Sequence, residues 1–145
     1  MVSRLLENRP LLKECIEALK VGLLPDDESE KVSDMFRKIV PITKWGKVDW
    51  AKINKKIEVG YDPQLLISAL EKLMGGPFDT SVYIEWSSSG VPIIKADLKD
   101  IVDNFDDVTC VAFEKFIFNP SAGYIIEILP SDLMTIGIIP DQGNS

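Results

Sequence analysis

The sequence predicts an α+β fold, in which an antiparallel sheet of about five strands is built from two hairpins plus a last strand and packs with N-terminal helices. Two pairs of β-type runs, at 81–96 and 108–129, are each joined by turn residues, and a further run follows at 133–139. These turns are too short for parallel crossovers, which need a dozen or more residues. Three segments between residues 10 and 75 instead carry apolar side chains at helical spacing.

The first hairpin begins with a strand of alternating character at 81–86. Its apolar side chains share one face: Val82, Ile84 and Trp86. Tyr83 and Glu85 take the opposite face, which is the pattern of a half-buried strand. Residues 87–90, three serines and a glycine, then form the turn into a second strand at 91–96.

The second hairpin joins runs at 108–118 and 124–129, which are rich in β-branched and aromatic residues. The segment 119–123 between them contains proline, serine and glycine and is a strong turn signal. A last strand at 133–139 follows a Pro-Ser-Asp turn.

Three amphipathic helices are predicted before the sheet. The first starts at Pro10, which suits a first helical turn, and ends near Gly22. The second starts near Asp26, where acidic residues favour the positive end of the helix dipole. The third runs from a cap at Asp62 to Gly75. The first two helices are expected to pack on each other or on one face of the sheet.

The segment 49–59 supports two interpretations. Asp49 is a candidate cap for a short helix that places three apolar side chains on one face: Trp50, Ile53 and Ile57. The competing interpretation is a strand over residues 55–59.

Length and composition indicate a single α+β domain over residues 1–140 and a disordered tail at 141–145. A chain of 145 residues can bury a sizeable core. No run approaches the roughly 20 apolar residues of a membrane span, and charges interrupt the start where a signal peptide needs an apolar core. A cytoplasmic location without membrane contact is expected. Cys15 and Cys110 are both predicted to be small buried hydrophobes.

Charge is distributed unevenly along the chain. Residues 1–60 hold 12 Lys and Arg against 10 Asp and Glu, whereas residues 61–145 hold 4 against 13. Direct nucleic-acid binding by the second half is disfavoured, because phosphate contacts need Lys and Arg. The acidic excess either serves solubility alone or attracts a basic partner.

The sequence carries no catalytic signature. It contains no histidine, which removes the usual general base and the commonest metal ligand. The segment 75–81 lacks the Gly-Lys-Ser/Thr ending of a phosphate-binding loop. The chain is therefore predicted not to be an enzyme, with no catalytic, cofactor-binding or metal-binding residues.

An acidic helix is predicted between the two hairpins, with Asp97 as its cap. Its apolar side chains gather on one side: Leu98, Ile101, Val102 and Phe105. Asp100, Asp103 and Asp107 gather on the other, where like charges three and four residues apart repel by about 0.2–0.5 kcal/mol per pair. This acidic side is either a solvated surface or a recognition face for a cationic partner.

Five segments form a pattern when they are taken in order: Trp45-Gly-x-Val-Asp-Trp50, Val82-Tyr-Ile-Glu-Trp86, Pro92 with an apolar run to Asp97-Leu98, Phe116 to Ile128, and Thr135-Ile-Gly-Ile138. Together they resemble the immunity proteins of bacterial toxin–immunity pairs, particularly those of contact-dependent growth inhibition. The resemblance implies an intracellular protein that binds and neutralises one cognate toxin, often a nuclease.

The implied partner agrees with the acidic helix. A nuclease holds phosphate with cationic side chains, and clustered aspartates can occupy those side chains in place of nucleic acid. The predicted toxin-binding residues are Asp100, Asp103, Asp107, Glu85 and Tyr83. Two alternatives stay open: a general interaction adaptor or nucleic-acid mimic, and a small hydrolase that uses carboxylates, either alone or with Mg²⁺.

Overall fold

The computed structural model describes residues 9–86, 91–112 and 114–140. The strands in these ranges are β1 Lys56–Gly60, β2 Ser81–Trp86, β3 Ile94–Asp97, β4 Lys115–Asn119, β5 Tyr124–Ile128 and β6 Met134–Ile138. The α-helices are α1 Pro10–Leu19, α2 Asp26–Ile39, α3 Leu66–Met74, α4 Leu98–Asp103 and α5 Phe105–Thr109. Short 3₁₀ turns precede β1 and α3. The α+β prediction is confirmed.

The strands form one antiparallel sheet in the order β1–β6–β5–β4–β2–β3. Both predicted hairpins are present, since β2 pairs with β3 and β4 with β5, and the last strand β6 pairs with β5. The additional strand is β1, which pairs with β6. Of the two interpretations of segment 49–59, the strand is therefore correct, and a short 3₁₀ turn precedes it. The predicted turn at 87–90 and the predicted tail at 141–145 lie outside the described residues.

The sheet is covered on both faces. One face, here called the α1 face, packs against α1, α3, α4 and α5 through residues such as Ile84 and Ile126. The other, the α2 face, packs against α2 and the segment 40–53 through Phe116 and Phe118. The expectation that α1 and α2 pack on each other or on one face is therefore wrong. All residues of β4 and β5 are buried, so each face of the central strands needs its own layer.

The region between the hairpins differs from its prediction. The run at 108–118 was expected to be one strand, but α5 continues to Thr109 and β4 begins only at Lys115. Val108 lies three residues after Phe105, and both are buried in the core of the α1 face. This spacing buries both side chains on one side of a helix, and the segment is therefore helical and not extended. Cys110 then falls in the turn after α5 and is exposed, whereas Cys15 is buried as predicted.

The segment 40–53 is held on the α2 face by a buried carboxylate. Glu127 on β5 is only 4% exposed. Its Oε2 accepts from the backbone N–H of Val48 at 2.9 Å, and its Oε1 accepts from Nε1–H of Trp50 at 2.8 Å. The Trp50 ring lies directly over β6, where a Cβ on Gly137 would approach Trp50 Cζ3 to 2.7 Å. A glycine is needed there because the ring fills the space of a side chain.

Candidate functional site

One end of the sheet brings together loops from distant parts of the chain. A row of paired residues crosses five strands there: Trp86, Lys115, Ile128, Met134 and Gly60. Tyr61 and Glu114 adjoin this row, as does the turn 129–133 between β5 and β6. We call these loops, together with the C-terminal part of α4 and with α5, the acidic end of the molecule.

The acidic helix is two short helices rather than one. Asp97 caps α4 as predicted, because its Oδ1 accepts from the Lys99 N–H at 2.9 Å. Asn104 then leaves helical geometry, with φ −123° and ψ 37°, while its side-chain amide donates to the Asp100 carbonyl at 2.9 Å. The predicted apolar side is nevertheless buried throughout: Leu98, Ile101, Val102 and Phe105.

The break at Asn104 changes which aspartates face solvent. Asp100 and Asp103 on α4 are exposed as expected, but on α5 it is Asp106 that is exposed, whereas Asp107 is partly buried. Asp107 also lies near enough to α1 for its charge to act on Cys15: burial, with a further contribution from the Asp107 charge, raises the pKa of the Cys15 thiol to about 12. The exposed acidic face is therefore rotated relative to that of one continuous helix.

Four aspartates line an open depression of about 400 Å³ at the acidic end: Asp103, Asp106, Asp107 and Asp132. Tyr61, which is 63% exposed, lies in the same depression. We call this set the acidic depression. Asp132 occupies a left-handed turn position, φ 72°, between β5 and β6. The depression combines concentrated negative charge with one accessible aromatic ring.

Most of these carboxylates lack a cation from the chain itself. Across the three described ranges, no lysine or arginine nitrogen lies within 4.0 Å of Asp100, Asp103, Asp106 or Asp107. Asp132 is the exception, with its Oδ1 4.0 Å from Lys115 Nζ. Lys115 is 2% exposed, and desolvation lowers the pKa of its ammonium against the opposing effect of Asp132. The carboxylates of Asp103, Asp106 and Asp107 therefore have no ion-pair partner among the residues that the structure describes.

Tyr83 and Glu85 lie on the other side of the sheet. They face α2, as the alternation of β2 predicts, whereas α4 and α5 cover the α1 face. Tyr83 packs on the Phe118 ring at 5.7 Å between centroids, with Lys95 Nζ 5.8 Å from its own centroid. The structure brings Asp103 and Asp107 together in one depression, with Asp100 on the same helix pair, but it does not bring Tyr83 or Glu85 to them.

Comparison with known families decides the class of the protein. A family model described as CdiI immunity protein EcoliA0-like matches residues 9–137. The chain belongs to this family. The predicted membership among immunity proteins of contact-dependent growth inhibition is thereby confirmed, and with it the general role of binding and neutralising a cognate toxin. No curated protein matches the chain.

The described part of the immunity protein contains neither a candidate membrane span nor a candidate metal cluster. Among residues 9–86, 91–112 and 114–140, no helix has the length and apolar character required to cross a bilayer. The same residues contain no group of three or more cysteine or acidic side chains placed to hold a metal ion.

Sequence reasoning missed three members of the acidic depression of this immunity protein. Asp106 was missed because the helix break at Asn104 is invisible in the apolar pattern. Tyr61 and Asp132 are 71 positions apart in the chain, and only the pairing of Gly60 with Met134 brings their loops together. The available signals were an aromatic residue in the Gly-Tyr-Asp-Pro turn and an aspartate in the Pro-Ser-Asp turn, and neither is specific.

Proposed function

We propose that this immunity protein neutralises a nuclease toxin in the cytoplasm, with the acidic depression and Asp100 binding basic residues of the toxin. One observation supports this most strongly: four aspartates, of which Asp103 and Asp106 are exposed, line one depression with an accessible tyrosine, and among the described residues only Lys115 pairs with any of them. Complementary charge of this kind steers association and selects the partner.

The chemistry of a nuclease explains why its inhibitor would carry such a surface. Nucleic-acid phosphates are held by lysine and arginine side chains. Carboxylates at Asp103 and Asp106 would pair with those same side chains and exclude the substrate. Tyr61 supplies what carboxylates lack, since tyrosine is enriched among the residues that contribute most to binding at interface centres.

The proposed location and mode of action follow from the same partner. The nucleic acids of the producing cell lie in its cytoplasm, so the inhibitor must act there. Inhibition by occupying a surface is stoichiometric and needs no catalytic group. We therefore propose that the protein is a non-enzymatic inhibitor of a basic protein, and that the acidic end does not bind nucleic acid directly.

A nuclease-protection assay tests this proposal. The purified cognate toxin domain should degrade DNA or RNA, and degradation should stop when the immunity protein reaches an equal molar amount. The measured affinity should fall steeply as salt rises from about 0.01 M to 1 M, because the Debye length shrinks from about 30 Å to 3 Å over this range. A toxin that degrades no nucleic acid would contradict the nuclease assignment, and an affinity that is insensitive to salt would contradict the charge-based mechanism.

A further inference from the structure

A second concave site opens on the α2 face. It is a cleft of about 480 Å³ between the C-terminal half of α2 and the turn that follows it. Phe36 and Phe116 give it an apolar wall, and Trp45 stands at its mouth with 76% of its surface exposed. Glu85 also lines the cleft. We call this the Glu85 cleft.

The carboxylate of Glu85 is incompletely satisfied. Its Oε1 is buried and accepts no hydrogen bond from any residue that the structure describes. Desolvation raises the pKa of this carboxyl, while a hydrogen bond with Ser33 and the charge of Arg37 act in the opposite direction. Arg37 also lines the cleft, but its Nη1 pairs with Asp34 Oδ1 at 3.6 Å. A buried acceptor without a donor is costly, and a donor that enters the cleft from outside would remove that cost.

The surroundings of Glu85 favour one kind of donor. A tryptophan face attracts cations, and Lys44 Nζ already lies 5.1 Å from the centroid of the Trp45 ring. Glu114, which pairs with Lys47, adds a second carboxylate to the lining. A guanidinium is planar, stacks on aromatic rings and bonds a carboxylate with two parallel donors, whereas an ammonium provides a point charge. The cleft therefore fits an arginine better than a lysine.

The Glu85 cleft adjoins the acidic end. Glu85 directly precedes Trp86, and Glu114 directly precedes Lys115. Trp86 and Lys115 pair with each other and begin the row that ends at Gly60. Five strands at about 4.8 Å spacing place the two sides of that row roughly 19 Å apart. A standard interface buries about 800 Å² per partner, which corresponds to a patch about 32 Å across. Because the cleft opens on the α2 face and the depression lies beside α4 and α5 on the α1 face, a partner that contacts both must wrap around this end of the sheet.

We propose that the Glu85 cleft receives an arginine side chain of the toxin, whose guanidinium stacks on Trp45 and bonds the Glu85 carboxylate. This inference rests on the proposed function, because the occupant belongs to the same toxin. In this proposal the cleft determines which toxin is bound, because it receives a single anchoring side chain. The acidic depression provides long-range attraction.

Binding of the purified toxin domain to four variants tests the inference. Glu85→Gln and Trp45→Ala are each expected to weaken binding at least about tenfold, mainly through faster dissociation, because buried charge pairs act on the dissociation rate. Arg37→Ala should leave the affinity unchanged or raise it, since it removes a competing cation. Glu71→Gln on the exposed side of α3 is the matched control and should have no effect.

Thermal unfolding separates a binding role from a structural one. Glu85→Gln should keep or raise the melting temperature, because the neutral amide removes the cost of ionising a buried carboxyl. Affinity within twofold of wild type for both cleft variants would overturn the inference, as would a loss in Arg37→Ala as large as that in Glu85→Gln. Failure of the proposed function is a different result, in which the wild-type protein itself does not bind the toxin or protect nucleic acid.

Discussion

Replacing Asp100, Asp103 and Asp106 together by lysine is expected to lower the affinity for the toxin by about 100-fold, because like charges brought together across an interface cost several kcal/mol. Asp106 is chosen over Asp107 because Asp107 is partly buried against α1, where a lysine would disturb packing. The loss should appear mainly in the association rate. Stopped-flow mixing with the toxin domain measures it.

A matched triple variant distinguishes the effect of charge at the acidic end from the effect of total net charge. Glu14, Glu30 and Glu71 are exposed carboxylates outside both concave sites, and changing all three to lysine alters the net charge equally. This control should keep an affinity within a few-fold of wild type, with both triple variants checked for cooperative unfolding. Equal losses in the two triple variants would show that total charge, not the acidic end, governs binding.

Glu127→Ala is expected to destabilise the folded protein by about 3 kcal/mol. The change leaves the buried N–H of Val48 and the partly buried indole N–H of Trp50 without their acceptor, and a buried orphan costs about 1–3 kcal/mol. For a chain of this length the melting temperature should fall by roughly 10 °C. Chemical denaturation monitored by tryptophan fluorescence measures the free energy of unfolding.

Glu58→Ala provides the control for this prediction. Glu58 and Glu127 both pair with Thr135, from opposite sides of β6, so they lie in one row on one face, but Glu58 is exposed. Its removal should change the free energy of unfolding by no more than about 0.5 kcal/mol. If Glu127→Ala were equally mild, Glu127 would not be what holds the segment 40–53 on the α2 face.

Local patterns predicted the strands with clear alternation and the helices with clear caps. The turn-linked pairs β2–β3 and β4–β5 were predictable because each pairing is local. The segment 49–59 was not, because Trp50, Ile53 and Ile57 fit a helix while Ile57 and Val59 fit a strand. Its pairing with β6 decides between them, and that contact is distant in sequence.

The candidate site was predictable only in part for the same reason. The acidic character of residues 97–107 and their buried apolar side follow directly from helical periodicity. The depression itself depends on the break at Asn104 and on strand order, which places Tyr61 beside the turn that carries Asp132. Glu85 was predicted as an exposed neighbour of the aspartates, but its side chain lies on the face of β2 that packs against α2.

Carboxylate footprinting tests the central claim most directly, because carbodiimide-driven labelling reports on aspartates and glutamates one by one. In the free protein, the exposed carboxylates of Asp100, Asp103 and Asp106 should be labelled. In the toxin complex these three should become protected, while a set of exposed glutamates stays labelled: Glu14, Glu30 and Glu71. Protection of those glutamates, with the three aspartates still labelled in the complex, would contradict the account.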